Sequence, residues 1–152
     1  MHTFATVNDP ATRERLSGPA IRGFLTLAEV WGLKTEEEVD LLGASVSRST
    51  LHNWAREGYS PTLNADQLMR ISFLMGIYEG LQRIWRRAPA EADAWLRRSR
   101  SEAPFRGLAP LEFMRTGGMM GLAATRGYVD GITGGPPSRE DYRSPPREGI
   151  SY

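Results

Sequence analysis

The chain of 152 residues contains no cysteine, which excludes a disulfide framework, a thiolate zinc site and a cysteine nucleophile, and fits a reducing cytosol. Histidine is nearly absent too. His52 is the only one inside the chain, His2 stands at its start, and one internal imidazole without a companion does not make a metal site. No segment approaches the roughly 20 consecutive apolar residues that span a bilayer. Met1 to Pro10 lacks the basic stretch and apolar run of a signal peptide. Charge of one sign is also missing. A net charge of +1 does not by itself announce nucleic acid, and Glu36, Glu37, Glu38 and Asp40 make the N-terminal half slightly acidic. The composition, 40% hydrophobic and 24% charged, is that of a globular cytoplasmic protein able to bury one sizeable core or two small ones.

No stretch sustains the alternation of a half-buried strand. From Ile21 to about Gly135 the apolar residues instead recur at helical spacing, so the expected fold class is all-α. Residues 1–19, with Pro10 and the Ser17-Gly18-Pro19 break, read as a loosely attached arm in which Ala11 to Leu16 can form a turn or two of helix. Ile21 to Trp31 reads as a first helix with Leu25, Ala28 and Trp31 on one face, Phe24 and Leu27 beside it. A second helix opens on Thr35-Glu36-Glu37-Glu38, a capping box with Thr35 as N-cap, and closes at Gly43.

The third helix has the clearest local grammar. Ser47 is its N-cap, Val46 and Leu51 form a hydrophobic staple, and Gly58 follows its last turn. Leu51, Trp54 and Ala55 form the inward stripe, and Ser49, His52, Asn53 and Arg56 fall together on the opposite face. A fourth, long helix runs from an Asn64 cap, with Gln67 at the capping-box position, to about Arg87. Its apolar residues, among them Ile71, Leu74, Ile77, Leu81 and Trp85, cover more than one side. A short helix from Ala90 to Arg98 buries Trp95 and Leu96. Pro110 to Thr116 ends at Gly117-Gly118, and a last helix runs from Met119 to about Ile132. Residues 136–152, with Pro136, Pro137, Pro145 and Pro146, read as an extended tail.

Two short helices around a glycine-containing turn, the second with a polar outer face, have the form of a DNA-binding helix-turn-helix, and equally of an ordinary helical hairpin whose polar face is solvated; the tight turn and the small polar residues at the helix start favour the former. Ser49, Thr50 and Asn53 are suited to base edges, His52 shares their face, and Arg48 and Arg56 can take phosphates or a guanine. The arginines Arg83, Arg86, Arg87, Arg97, Arg98 and Arg100 read as a solvated face interleaved with Glu91, Asp93 and Glu102. No Ser, Asp and Glu arrangement and no phosphate-cradling glycine loop is recognisable, so neither an enzyme nor a cofactor is expected.

The chain from about Leu25 to Ile132 resembles Xre/MbcA/ParS-type antitoxins. The resemblance is carried by Val46-Ser47-Arg48-Ser49-Thr50-Leu51-His52-Asn53-Trp54, by Ile71 to Trp85, by Ala92-Asp93-Ala94-Trp95-Leu96, by Gly107-Leu108-Ala109-Pro110-Leu111-Glu112 and by Gly117-Gly118. It implies an Xre-like helix-turn-helix over 20–70, joined by the long helix to a small helical toxin-binding domain over 71–135. It also implies a RES-domain toxin that consumes NAD as partner, and repression of the operon's own promoter DNA. Neutralisation in that family is by the C-terminal domain and chain end, which here means Gly117, Gly118, Tyr128, Asp130 and the residues after Ile132. Within the tail, Tyr142, Arg143 and Arg147 are the natural anchors, because aromatic and guanidinium groups dominate protein interfaces. A homodimer or higher hetero-oligomer would supply the DNA affinity that a barely basic monomer lacks. The alternatives are a stand-alone helix-turn-helix regulator without a toxin and an adaptor that binds only protein, with a small enzyme behind both.

Overall fold

The computed structural model of the protein describes residues 8–56, 58 and 61–133. Their elements are all helical: α1 (Pro10–Val30), α2 (Thr35–Leu41), α3 (Arg48–Trp54), α4 (Ala65–Ile84), α5 (Pro89–Trp95) and α6 (Pro110–Thr133). The expected all-α class holds.

The first helix starts well before Ile21, so residues 10–19 are not an arm. Pro10 occupies an initial position where no amide hydrogen is needed, and the Asp9 carboxylate accepts from the Thr12 amide at 3.2 Å and from its hydroxyl at 2.7 Å. Pro19 does not end the helix, because the residue before it is Gly18, which has no Cβ to clash with the pyrrolidine ring. The buried Ser17 hydroxyl donates to the Arg13 carbonyl and accepts from the Leu63 amide at 2.8 Å, tying this half of α1 to the segment that enters α4. The inward face of α1 is Ile21, Phe24, Leu27, Ala28 and Trp31, and Leu25 lies at its margin.

The second helix is capped one residue earlier than its sequence suggests. The Glu37 carboxylate, rather than Glu38, reaches back to accept from the Lys34 amide at 2.8 Å, because Glu37 is the residue drawn inward by a partner described below. Gly43 closes α2 with φ +70, as expected, and Ala44 follows with φ 56. The Arg70 guanidinium of α4 lies against this turn, so that a Cβ on Gly43 would sit 2.6 Å from Arg70 Cζ.

Helix α3 is capped by Ser47 and stapled by the buried Val46 and Leu51, both as read from the sequence. Ala55 belongs to the exposed C-cap and not to the inward stripe, since the helix ends at Trp54. The Asn64 and Gln67 side chains cap α4 reciprocally, at 2.8 and 3.0 Å. Its 20 residues end at Ile84, short of Arg87, as the chain turns toward Pro89.

Helix α4 is covered by α1 on one side and by α6 on another, and a continuous apolar cluster runs from Ile21 to Val129 through all six helices. Gly76 and Gly80 let α6 come close: a Cβ on Gly76 would run into the Arg126 guanidinium, and one on Gly80 into Val129 Cγ1. Helix α6 is broken where Gly117-Gly118 predicts. Gly118 has φ 62 and ψ −150, a conformation open in practice only to glycine. Beyond it, Gly121 packs against the Phe113 carbonyl and Met114.

Gly80→Ala is expected to destabilise the fold by about 1–3 kcal/mol through overpacking. Gly127→Ala, on the same helix as Val129 but facing open space, should stabilise it by about 0.5–1 kcal/mol through helix propensity. Urea unfolding with an unchanged slope checks both, and equal effects at the two positions would refute the close approach at Gly80.

Candidate nucleic-acid interface

Helix α3 has only seven residues, too few to persist on propensity alone, so its neighbours must hold it in place. Trp54 is the main anchor. Its ring meets Phe24 of α1 edge-on, with centroids 6.1 Å apart, while Leu51 is buried a turn earlier. Fixing these two inward turns the other side of the helix to the surface. Ser49, His52 and Arg56 are exposed, Thr50 and Asn53 are half-buried, and the Arg48 side chain is 75% exposed.

These six residues, all singled out from the sequence, are brought together along the two turns of α3, with Arg56 just past its C-cap. Ser47 Oγ accepts from the Thr50 amide at 3.1 Å and lies 3.0 Å from both Ser49 Oγ and Thr50 Oγ1, so that the hydroxyls form a linked cluster at the start of the helix. At its end Arg56 Nη1 reaches Asn53 Oδ1 at 3.4 Å. Arg48 has Glu36 as its nearest acidic neighbour, at 4.0 Å between two exposed groups, a separation that leaves the arginine free to exchange partners. The face therefore offers hydroxyl and amide groups, which can both donate and accept, flanked by two exposed cations. That is the chemistry for base edges and phosphates.

The hairpin α2–α3 is fixed to the rest of the protein by a group that sequence reasoning did not find. Arg97, just after α5, donates both terminal nitrogens to the Glu37 carboxylate at 3.0 and 3.1 Å, and also to the Gly32 carbonyl at 2.9 Å and the Trp31 carbonyl at 3.4 Å. Arg115 of α6 reaches Asp40 at 2.9 Å and Glu112 at 2.6 Å, with Glu37 4.0 Å away. The Glu37 side chain is only 6% exposed. The Arg97 hydrogen bonds, against the cost of burial and with help from the Lys34 amide and the Arg97 and Arg115 charges, hold its carboxyl below the ordinary value of 4.5. Of the arginines expected to lie on a solvated face, Arg98 is exposed and pairs with Glu91 at 2.7 Å, whereas the Arg100 side chain is only 18% exposed, paired with Glu102 at 2.6 Å and lying over the Trp95 ring. Arg97 departs from that reading as well. Its partner lies 60 positions away, beyond what local spacing can reveal.

The described residues among those assigned to toxin binding, Gly117, Gly118, Tyr128 and Asp130, are spread along α6. Gly117 is exposed beside the break at Gly118, and Tyr128 is ten residues further along α6, about 15 Å at helical rise. Tyr128 packs its ring against Trp95 and Phe105, with centroids at 6.1 and 5.0 Å, and its hydroxyl donates to Glu102 at 2.8 Å. Asp130 is paired with Arg126 at 3.0 Å, over the gap left by Gly76. Tyr142, Arg143 and Arg147 lie outside the described residues. Among the described residues no group of three or more His, Cys, Asp or Glu side chains is arranged to hold a metal, and no helix is long and apolar enough to cross a membrane.

No protein-family model and no curated protein matches this chain.

Because folding lowers the Glu37 carboxyl below 4.5, the stability it confers is fully present above that pH and is lost as the pH falls through the lowered value. Thermal unfolding midpoints of the parent protein and of Glu37→Gln should therefore differ at neutral pH and converge in acid. A gap that persists unchanged to pH 2 to 3, roughly, would show that the carboxylate charge is not what Arg97 holds.

Proposed function

We propose that the protein is a cytoplasmic, non-enzymatic antitoxin that reads its own promoter DNA through α3 and neutralises a RES-domain, NAD-consuming toxin through its C-terminal half. The observation that carries the DNA part is the face of α3: six side chains suited to base edges and phosphates, four exposed and two half-buried, on and just beyond a helix whose inward side is fixed by Trp54 and Leu51. The toxin part rests on the resemblance of residues 71–132 to Xre/MbcA/ParS-type antitoxins. The break at Gly118 supports it, since this is a place where α6 changes direction and presents Gly117 and the 84% exposed Met120 to solvent.

In this reading two copies, or a larger assembly with toxin, present two α3 helices to successive major grooves about 34–36 Å apart. Arg48 and Arg56 take phosphates or a guanine, and Asn53, with Ser49, Thr50 and His52 beside it, meets the bases. Association supplies the affinity that a net charge of +1 does not. Residues 71–135 and the tail bind the toxin, with Gly117, Gly118, Tyr128, Asp130, Tyr142, Arg143 and Arg147 as the contact residues implied.

Co-expression with the protein encoded beside it tests the toxin part. The full chain should co-purify with a neighbour that consumes NAD and silence it, and a chain lacking residues 134–152 shows whether the tail does the blocking. Absence of both complex and NAD consumption would leave a stand-alone helix-turn-helix regulator. Failure to bind its promoter while still silencing the toxin would leave a protein-binding antitoxin.

Asn53→Ala should cost about 1–3 kcal/mol of operator binding, roughly 5- to 150-fold in Kd, and relax preference at one base position. Arg48→Ala should weaken all duplexes alike and reduce the slope of log affinity against log salt by about 0.9. Gel shifts across a salt series separate the two, and indifference to both changes would remove α3 from the DNA interface.

A further inference from the structure

The ion pairs around Glu37 join four parts of the chain. They are the end of α1 through the Trp31 and Gly32 carbonyls, α2 through Glu37 and Asp40, the residue stretch after α5 through Arg97, and the first half of α6 through Glu112 and Arg115. Glu37 is withdrawn from water, with a side-chain exposure of 6%, and its partners are partly so, at 22% for Arg115 and 44% for Arg97. Withdrawing charges from water offsets most of their attraction, so such a cluster contributes little net stability compared with apolar groups of the same volume. It does impose direction. A planar guanidinium with both terminal nitrogens on one carboxylate accepts a narrow range of orientations, whereas leucine or methionine packs acceptably in many.

Helix α3 follows α2 after a short turn, so whatever orients α2 orients the polar face of α3. We infer that Glu37, Arg97 and Arg115 are positioning residues for α3: they fix the angle at which the α2–α3 hairpin stands on the body formed by α4, α5 and α6, and thereby the register of its polar face on DNA. This rests on the DNA-reading role proposed above. Arg97 acts on the carboxylate from the α5 side and Arg115 from the α6 side, so the hairpin is held against rotation in two directions. The Arg70 guanidinium packed beneath Gly43 supports the turn at the other end of α2.

The absence of cysteine allows a direct test on the full chain. Spin labels on Ala55→Cys, just beyond α3, and Ala123→Cys, on the second half of α6, are both at exposed positions and report the distance between hairpin and body. With the ion pairs intact, pulsed electron resonance should give a narrow distance distribution. In the double variant Glu37→Met with Arg97→Leu, the protein should still unfold cooperatively, its midpoint lowered only by the loss of the α2 cap and of the bonds to the Trp31 and Gly32 carbonyls, while the distribution broadens. Arg97→Lys, which keeps the charge and loses the planar fork, should broaden it in the same direction and decides the matter alone if the double variant does not fold. In unlabelled protein the same variants should lose about tenfold or more of the operator-to-random affinity ratio while non-specific binding and its salt slope are retained.

Distributions as narrow as the parent's in both variants would overturn the positioning role, and so would a broadened distribution with undiminished operator preference. A parent protein with no preference for its promoter refutes the DNA-reading role instead. The distance distributions then still decide whether these three side chains hold the hairpin.

Discussion

The close approach of α6 to α4 is the contact on which the remaining geometry depends. It exists because Gly76 and Gly80 present bare backbone where Arg126 and Val129 must lie. A glycine in the interior of a helix costs about 0.5–1 kcal/mol relative to alanine, so two of them in α4 are a local sacrifice that the packing of α6 must offset. With α6 seated this deeply, its broken first half carries Arg115 to Asp40 and Glu37 on α2. The polar face of α3 is thus linked by a chain of contacts to the packing of α6 on α4. That chain runs from the glycines of α4 to α6, from Arg115 to α2, and through the Gly43 turn to α3.

Two kinds of interaction divide the labour along that path. Apolar burial supplies most of the stabilisation and little direction: Phe24, Leu74, Ile77, Leu81 and Leu122 are almost fully removed from water and touch elements from both halves of the chain. Ion pairs and caps supply direction at small net energy. The Glu37 carboxylate is the clearest instance, since one group satisfies the Lys34 amide, receives the Arg97 fork and faces Arg115. Tyr128 plays a similar part at the other end of α6. Its ring joins the Trp95 and Phe105 cluster and its hydroxyl is tied to Glu102, so its present contacts already account for its burial.

What the sequence made legible was what its short-range grammar encodes. Ser47 with Val46 and Leu51, Asn64 with Gln67, and Gly118 each act within a turn of themselves, and each stands where the reading had it. The polar face of α3 was equally readable, because helical spacing alone collects Ser49, His52, Asn53 and Arg56. The failures come where a neighbour overrides a local signal. Pro19 looked like a stop, and Ser17 with Leu63, 46 residues away, helps carry the helix past it. Thr35 looked like the cap, and the inward pull of Arg97 on Glu37 moved the cap to Lys34. Arg97 itself was indistinguishable from Arg98 and Arg100 by spacing, since only the fold brings it to α2.

The shortness of α3 gives these long-range contacts their weight. A long recognition helix would carry its own direction, whereas seven residues span about 10 Å and take their orientation from whatever holds the two ends. Here the start is held by the Ser47 cap and, through α2, by the charges around Glu37, and the end by Trp54 against Phe24. Discrimination among bases requires side chains placed to within a fraction of an ångström, but phosphate contact tolerates considerable play. Looseness at the anchors should therefore reach sequence preference before it reaches overall affinity. A charge cluster that adds little to stability can thus matter greatly to what α3 can read.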